Sequence, residues 1–146
     1  MFLTEKEMVI ALVSLLENND TKLDHLKECI FKQEVDGLIG RPDLLLKNKN
    51  NKKIITIELK LKNWKRALAQ AYKYKSFSDI SYVCMDQKNI SPALEHIEMF
   101  KKYNIGLITI DNKNIIKVYH KPKIKKAYSQ QLYTEVQNLF EENSFA

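Results

Sequence analysis

The chain has 146 residues, of which 45% are hydrophobic and 29% are charged, and its formal net charge is +6 at pH 7. This length and composition suit a folded globular protein and argue against disordered, collagen-like and coiled-coil architectures. Only three glycines and three prolines are present, which leaves little room for a flexible linker, so we predict a single domain spanning residues 1–146.

The positive charge permits a polyanionic partner but does not identify one, because lysine-rich surfaces are often simply solvated. Cys29 and Cys84 are too few for a disulfide framework and lack the spacing of a zinc site, which favours reduced thiols. No stretch approaches the roughly 20 apolar residues of a membrane span, and the N-terminus does not resemble a signal peptide. We therefore expect a cytoplasmic protein with no membrane contact.

The N-terminal segment has the pattern of a helix start. Residues 4–7, Thr-Glu-Lys-Glu, fit the capping box, in which the Thr hydroxyl and the second Glu carboxylate satisfy free N–H groups of the first turn. An apolar face at helical spacing follows, and the polar residues 18–20 are a natural end. The residues that define this face are Met8, Leu12, Leu15 and Leu16.

Three extended segments come next in the chain. Residues 29–35 predict a strand that leads into a turn at residues 36–37. Two apolar runs, residues 42–46 and 54–61, lie on either side of the wholly polar residues 47–53. This arrangement is typical of a β-hairpin.

After the hairpin, the apolar period changes to that of a helix capped by Asn63. Residues 80–85 predict a buried strand, and a further helix is expected from Ser91 to about residue 104, with Pro92 in its first turn. The remaining predicted elements are strands at residues 107–110 and 115–119, a basic stretch at 121–126 and a last helix at 129–142.

The predicted order is helix, three strands, helix, strand, helix, two strands, helix. A meander followed by helix-connected strands implies an α/β fold in which helices flank a central mixed sheet. The crossover from residues 54–61 to residues 80–85 should be parallel and right-handed.

Polar side chains interrupt the apolar strand 54–61 on one face. Because successive side chains of a strand point to opposite faces, Glu58 and Lys60 stand side by side. Asp43 opens the preceding arm of the hairpin and can lie opposite Glu58, depending on the strand register. Two carboxylates and one ammonium group would then meet at the end of a sheet.

Such a group of residues suits metal-assisted phosphodiester chemistry. Asp43 and Glu58 offer the hard oxygen ligands that Mg²⁺ prefers. A bound metal lowers the pKa of water and neutralises phosphodiester charge, while Lys60 can orient the water or stabilise the transition state. The alternative is a solvent-exposed Glu58–Lys60 pair worth less than about 1 kcal/mol, which leaves Asp43 unexplained.

These residues resemble the signature of the PD-(D/E)XK nuclease superfamily. Residues 42–43 (Pro-Asp) and 58–60 (Glu-Leu-Lys) match its core motif, and residues 40–43 (Gly-Arg-Pro-Asp) resemble the form found in archaeal Holliday junction resolvases. Gln70 and Tyr74 resemble the Q-x-x-x-Y element of RecB-type nucleases. These features point to two different branches of the superfamily, and both stay open.

The resemblance implies a restriction-endonuclease-like core of the order αβββαβ and a Mg²⁺-dependent DNA endonuclease in which Mn²⁺ can substitute. It also implies that an acid on the first helix joins the metal site, for which Glu7 is the best-placed candidate and Glu5 the next. The other site residues that it implies are Asp43, Glu58 and the Leu59 backbone carbonyl as metal ligands, and Lys60 and Gln70 as catalytic residues together with the two acids.

Contacts to DNA are expected on the Asn63 helix and just before it. Arg66 and Lys73 share a helix face with Gln70 and can reach phosphates, although a solvated face is equally compatible with the pattern. For Tyr74, a DNA contact and packing at the edge of the core are both open. The candidate DNA-binding residues are Lys62, Arg66, Lys73 and Tyr74.

Alternative functions are also compatible with the sequence. A catalytically inactive nuclease fold could serve as a DNA-binding or regulatory subunit, and a protein-interaction domain is a third class. Within the nucleases, junction resolution, restriction or defence, and repair stay open. Because cutting two strands needs two sites, we expect a homodimer, with the last third of the chain as its interface.

Overall fold

Six strands and five α-helices occupy the part of the chain that the computed structural model describes, residues 2–142. The strands are β1 (Cys29–Gln33), β2 (Leu44–Asn48), β3 (Ile54–Lys60), β4 (Ile80–Asp86), β5 (Gly106–Ile110) and β6 (Ile116–His120). The helices are α1 (Glu5–Glu17), α2 (Trp64–Tyr74), α3 (Ser91–Glu95), α4 (Ile97–Tyr103) and α5 (Gln130–Glu142). Short 3-10 helices lie at Asp24–Leu26 and Gln87–Asn89.

The strands form one sheet in which they follow their chain order from β1 to β6. The first three strands make an antiparallel meander, β3, β4 and β5 are parallel, and β6 returns antiparallel to β5. Helix α2 connects β3 to β4, and α3 with α4 connects β4 to β5. The predicted α/β class, the mixed sheet and the parallel crossover are confirmed.

Helices cover both faces of the sheet, so successive side chains of a strand pack into two different apolar layers. On one face, α1 packs against a layer that includes Ile55, Ile57 and Leu59 of β3. On the other face, α2 and α4 cover β4 and β5, while α5 packs near Ile54 and Leu45. The polar side chains of β3 therefore lie beneath helices and not on an open face.

Polar caps fix the starts of two helices where the sequence predicts them. The Thr4 hydroxyl accepts a hydrogen bond of 3.1 Å from the Glu7 N–H, and the Asn63 side chain accepts one of 3.2 Å from the Arg66 N–H. No helix within residues 2–142 has both the length and the apolar content needed to cross a membrane.

The prediction of one continuous helix from Ser91 to residue 104 is wrong. The backbone of His96 leaves the helical region, with φ −120° and ψ 27°, and separates α3 from α4. The His96 ring stacks on Trp64 of α2 with a centroid separation of 4.8 Å. The tertiary contact and the break therefore occur at the same residue.

Candidate active site

The residue before β2 and the end of β3 lie side by side. Leu44 pairs with Ile57, so the next position on each strand places Asp43 opposite Glu58. Asp43 Oδ2 accepts a hydrogen bond of 2.8 Å from the Leu59 N–H. The structure thus brings Asp43 to the Glu58 region, as the hairpin arrangement predicts.

The same register gives Pro42 a physical role. Pro42 occupies the position opposite Leu59, and a proline has no N–H to donate across the ladder. The N–H and carbonyl of a strand residue point to the same edge of that strand, and the Leu59 N–H is directed at Asp43. The Leu59 carbonyl therefore faces the Asp43 side with no donor from Pro42, a position that suits a metal ligand.

Glu58 is buried on the α2 side of the sheet, with 3% of its surface exposed. Its Oε1 accepts a hydrogen bond of 2.8 Å from the Tyr74 hydroxyl. Burial, and then the Asp43 charge, raise the pKa of Glu58 to about 7, against the opposing effects of the Tyr74 hydrogen bond and the Lys60 charge. Burial likewise raises the pKa of Asp43. A carboxyl group whose ionisation is opposed by burial and by a neighbouring carboxylate creates the electrostatic condition that a cation relieves.

Lys60 lies at the end of β3 among acidic groups. Its Nζ is 3.9 Å from Glu5 Oε1, and its side chain is 19% exposed. Its charge also lowers the pKa of both Asp43 and Glu58. The ammonium group is thus placed close enough to three carboxylates to influence or contact each of them.

The acid that α1 contributes to this region is Glu5. Its Oε2 accepts a hydrogen bond of 3.1 Å from the Leu61 N–H, directly after β3. Glu7, the acid that the resemblance places first, accepts the Leu3 N–H at 3.2 Å and so caps the start of the helix. Both residues lie in the first turn, and only one of them faces the sheet.

Tyr74 is a buried residue that holds the site from the α2 side. Only 1% of it is exposed, and it belongs to a core cluster with Phe77 and Val136, which is the packing at the edge of the core that the sequence left open. Its hydroxyl also lies 3.1 Å from the Arg41 carbonyl oxygen. A Cβ on Gly40, whose φ is +79°, would lie only 2.8 Å from Cε1 of the Tyr74 ring. The Gly40 contact is a feature of the site that the sequence motif alone does not reveal.

Ion pairs hold the loop that carries Gly40 and Asp43. The Arg41 guanidinium lies 3.3 Å from Glu34 Oε2 and 3.4 Å from Asp36 Oδ1. All three side chains are largely exposed, so each pair contributes little stability by itself. Together they favour one shape of the loop that presents Asp43.

Gln70 and the predicted DNA-contact residues differ in exposure. The Gln70 side-chain oxygen is enclosed, and within residues 2–142 no hydrogen-bond partner reaches it. An enclosed polar atom without a partner costs free energy unless a ligand or water satisfies it. Lys62, Arg66 and Lys73 are exposed, which leaves them accessible to a partner in solution.

The donor set suits a hard cation. Within residues 2–142 no group of three or more His, Cys, Asp or Glu side chains is arranged to hold a metal. Asp43 and Glu58, however, provide two carboxylates beside the Leu59 carbonyl, and Mg²⁺ commonly uses one or two carboxylates and retains several waters. These oxygen donors fit Mg²⁺ or Mn²⁺ and do not fit a structural zinc site, which takes four side-chain ligands.

Comparisons with known proteins give information about the fold. No protein-family model matches the sequence, and no curated protein matches it either. The structure is similar to the SPO1766 protein of unknown function from Silicibacter pomeroyi, with a TM-score of 0.61 and 15% identity over 88% of this chain and 83% of that chain. Pyrococcus furiosus SfsA in complex with Ca²⁺ gives a TM-score of 0.46 and 13% identity over 76% of this chain and 61% of that chain. The first value shows a shared fold, and the second is too low to do so.

Proposed function

We propose that this protein is a Mg²⁺-dependent DNA endonuclease with a restriction-endonuclease-like core. The observation that carries the proposal is the convergence of Asp43, Glu58 and Lys60 where β2 begins and β3 ends, with Asp43 bonded to the Leu59 N–H. The element order α1, β1, β2, β3, α2, β4 is compatible with the αβββαβ core that the motifs imply. The net charge of +6 supports a polyanionic substrate.

Each residue of the site has a distinct role in this proposal. Asp43, Glu58 and the Leu59 carbonyl would hold Mg²⁺, which when bound supplies an acidified water and neutralises charge on the phosphodiester. Lys60 orients the attacking water and places positive charge where the pentacovalent transition state becomes more negative. Tyr74 holds the Glu58 carboxylate in one orientation through its 2.8 Å hydrogen bond.

Residues around the site would position the substrate. Lys62, Arg66 and Lys73 are exposed cations that can neutralise backbone phosphates, which contributes affinity without reading sequence. The Gln70 amide, whose oxygen is enclosed and has no partner among residues 2–142, would orient a ligand or water at the edge of the site. Cleavage of both strands would require two sites, so we propose that the active form is a homodimer.

A cleavage panel tests the proposal. Plasmid, linear duplex, four-way junction and single-stranded DNA are incubated with the protein in Mg²⁺ and in Mn²⁺, and the same panel is run with Asp43→Asn and Lys60→Ala. Cleavage should be lost in both variants and retained in Lys49→Ala, a control in the turn at the opposite end of β3. Cleavage that persists in both site variants would contradict the assignment.

Calorimetric titration with Mn²⁺ separates the enzyme from an inactive nuclease fold. Binding that Asp43→Asn abolishes supports the metal site, because the amide of this variant keeps an acceptor for the Leu59 N–H but carries no charge. An absence of both Mn²⁺ binding and cleavage, together with retained DNA binding, would favour the DNA-binding or regulatory subunit. Light scattering with and without DNA tests the dimer, and a monomeric mass in both conditions contradicts it.

A further inference from the structure

A second surface feature lies on the far flank of α2 from Glu58. A groove of about 380 Å³ runs between α2 and α4, and it is lined mainly by Trp64, Leu68, Tyr72, Met99 and Tyr103. Tyr72 is 42% exposed and Met99 is 39% exposed. Aromatic and apolar groups therefore form an open surface here.

The aromatic rings of this surface form a continuous row. The Tyr103 and Tyr72 rings have centroids 5.3 Å apart, and Tyr128 continues the row at 6.4 Å from Tyr72. Tyr128 is 52% exposed and belongs to the segment that crosses the end of α2, where its N–H donates to the Lys75 carbonyl. The row thus extends beyond the groove and presents two open rings to solvent.

A lysine ammonium group accompanies each ring of the row and the Trp64 ring. The distances from Nζ to the ring centre are 5.8 Å for Lys65 and Trp64, 5.5 Å for Lys102 and Tyr103, 5.9 Å for Lys75 and Tyr72, and 5.6 Å for Lys125 and Tyr128. Although burial acts in the opposite direction, the Lys75 and Lys125 ammonium groups lower the pKa of Tyr128. Positive potential therefore surrounds the exposed rings.

Acidic residues are nearly absent from the elements that form this surface. Helix α2 carries no acid, and residues 121–129 contain none either. On α4 the acid is Glu98, which pairs with Lys101 at 3.4 Å. The surface is therefore complementary to a polyanion that also offers flat rings, and not to an apolar protein helix alone.

We propose that this aromatic groove binds single-stranded DNA, with unpaired bases stacked along the Tyr103–Tyr72–Tyr128 row and phosphates facing the exposed Lys65, Lys102 and Lys125. Lys75 is only 6% exposed and donates to the Tyr103 carbonyl oxygen, so it supports the row from beneath. Alternation of aromatic rings with cations is how single strands are bound without sequence preference, since every base has a stacking face. A duplex hides its bases and cannot use the rings. The proposal rests on the proposed function for the choice of DNA and deepens it by naming an unpaired strand as part of the substrate.

The geometry of α2 shows how one DNA strand would reach both the Glu58 region and the aromatic groove. At 100° per residue, Gln70 and Tyr74 point to the flank that holds Glu58, and Lys65 and Tyr72 point to the opposite flank. Arg66 and Lys73 lie between the two flanks on the exposed crest. A single strand that leaves the catalytic region would cross α2 at these two cations before it enters the groove.

Binding measured in EDTA tests the groove without requiring cleavage. Fluorescence anisotropy compares a labelled oligo-dT strand with a duplex of the same length at low salt, for the wild type and for Tyr72→Ala and Tyr128→Ala. We expect oligo-dT affinity to fall at least about fivefold in each variant and duplex affinity to fall less. Tyr72→Phe should keep the affinity, because it retains the ring, and Ile10→Ala should not alter it, because Ile10 is an exposed residue of α1 on the other face.

A second readout comes from Trp64, the single tryptophan of the chain. Oligo-dT should quench its emission, since Trp64 lines the groove, and duplex DNA should quench it less. Failure of oligo-dT to bind at low salt, or equal affinities in the wild type and both Ala variants, overturns the proposal. If the wild type cleaves no substrate of the panel but Tyr72-dependent binding is retained in EDTA, the proposed endonuclease is overturned and this binding surface is not.

Discussion

The Tyr74 hydroxyl of α2 donates a hydrogen bond of 2.8 Å to Oε1 of Glu58 in β3. A donor stabilises the ionised form of a carboxyl group, whereas burial and the nearby Asp43 charge destabilise it. Because these effects leave the pKa of Glu58 at about 7, the protonation of this carboxyl is balanced near neutral pH. Tyr74 therefore favours the ionised form of Glu58, which is the form that the proposed metal site requires.

Removal of this hydroxyl should shift the pH dependence of metal binding. In Tyr74→Phe we expect the pKa of Glu58 to rise further. As the pH is lowered, Mn²⁺ affinity should therefore begin to decline at a higher pH than in the wild type. Calorimetric titrations at several values between about pH 6 and pH 8.5 measure the shift. Tyr133→Phe is the matched control, because it removes a 2.7 Å hydrogen bond from tyrosine to Asp79. Identical pH profiles for Tyr74→Phe and the wild type would contradict this role.

Neutralisation of Glu58 should stabilise the metal-free protein. The pKa of Glu58 rises from 4.5 to about 7 on folding. At pH values between these two, the folded state therefore holds a proton that the unfolded state has released. Stability then falls as pH rises through this window, and the ionised carboxyl costs up to about 3 kcal/mol above pH 7. Below about pH 4.5 the group is protonated in both states and the cost disappears.

Glu58→Gln should therefore be more stable than the wild type by about 1–3 kcal/mol at pH 8 in EDTA, while cleavage is lost. Urea unfolding at pH 8 and at pH 5 measures this, and the difference between the proteins should be smaller at pH 5. Glu17→Gln is the control for a change of net charge, because Glu17 is an exposed residue at the C-terminal end of α1. A variant that is less stable than the wild type at pH 8 would show that the buried charge is not a source of instability.

Gly40 and Gly37 provide a matched pair for testing the contact with Tyr74. Both have positive φ, +79° and +88°. An added Cβ meets Tyr74 Cε1 at 2.8 Å in the first case and no atom of the described residues within 4 Å in the second. Each Ala substitution should cost about 1–2 kcal/mol for the left-handed backbone. Only Gly40→Ala should also displace Tyr74 and weaken Mn²⁺ binding, as measured by thermal unfolding and calorimetry. Equal effects of both substitutions would show that this contact does not matter.

The parts of the fold that follow from local pattern could be predicted, and those that depend on distant contacts could not. The alternation in residues 54–61 placed Glu58 and Lys60 on one face, and Asn63 marked a helix start, because both signals lie within a few residues. The break at His96 has no Gly or Pro beside it that would indicate a helix end. It coincides with the stacking of His96 on Trp64 of another helix, a contact that local sequence does not report.

The site shows the same division between local and long-range information. The motif residues Asp43 and Glu58 could be identified from the sequence, but their mutual register depends on the pairing of Leu44 with Ile57. The contact of Tyr74 with Gly40 joins positions 34 residues apart, and no periodicity reports it. Such contacts arise only when α2 packs on the sheet.

Glu5 and Glu7 both belong to the first turn of α1, but their side chains have different contacts. Glu5 contacts Lys60 and the Leu61 N–H, whereas Glu7 accepts the Leu3 N–H at the helix start. Glu5→Gln should free the Lys60 ammonium group and lower the cleavage rate, with little change in unfolding free energy, because a half-exposed ion pair contributes less than about 1 kcal/mol.

Glu7→Gln should instead act on stability, by about 0.5–1 kcal/mol through the cap and the helix dipole. Cleavage rates and urea unfolding measured on both variants decide between the two positions. A residue that only caps the helix should affect the reaction less than one that contacts Lys60. A larger loss of cleavage in Glu7→Gln than in Glu5→Gln would therefore favour Glu7 as the acid of the site.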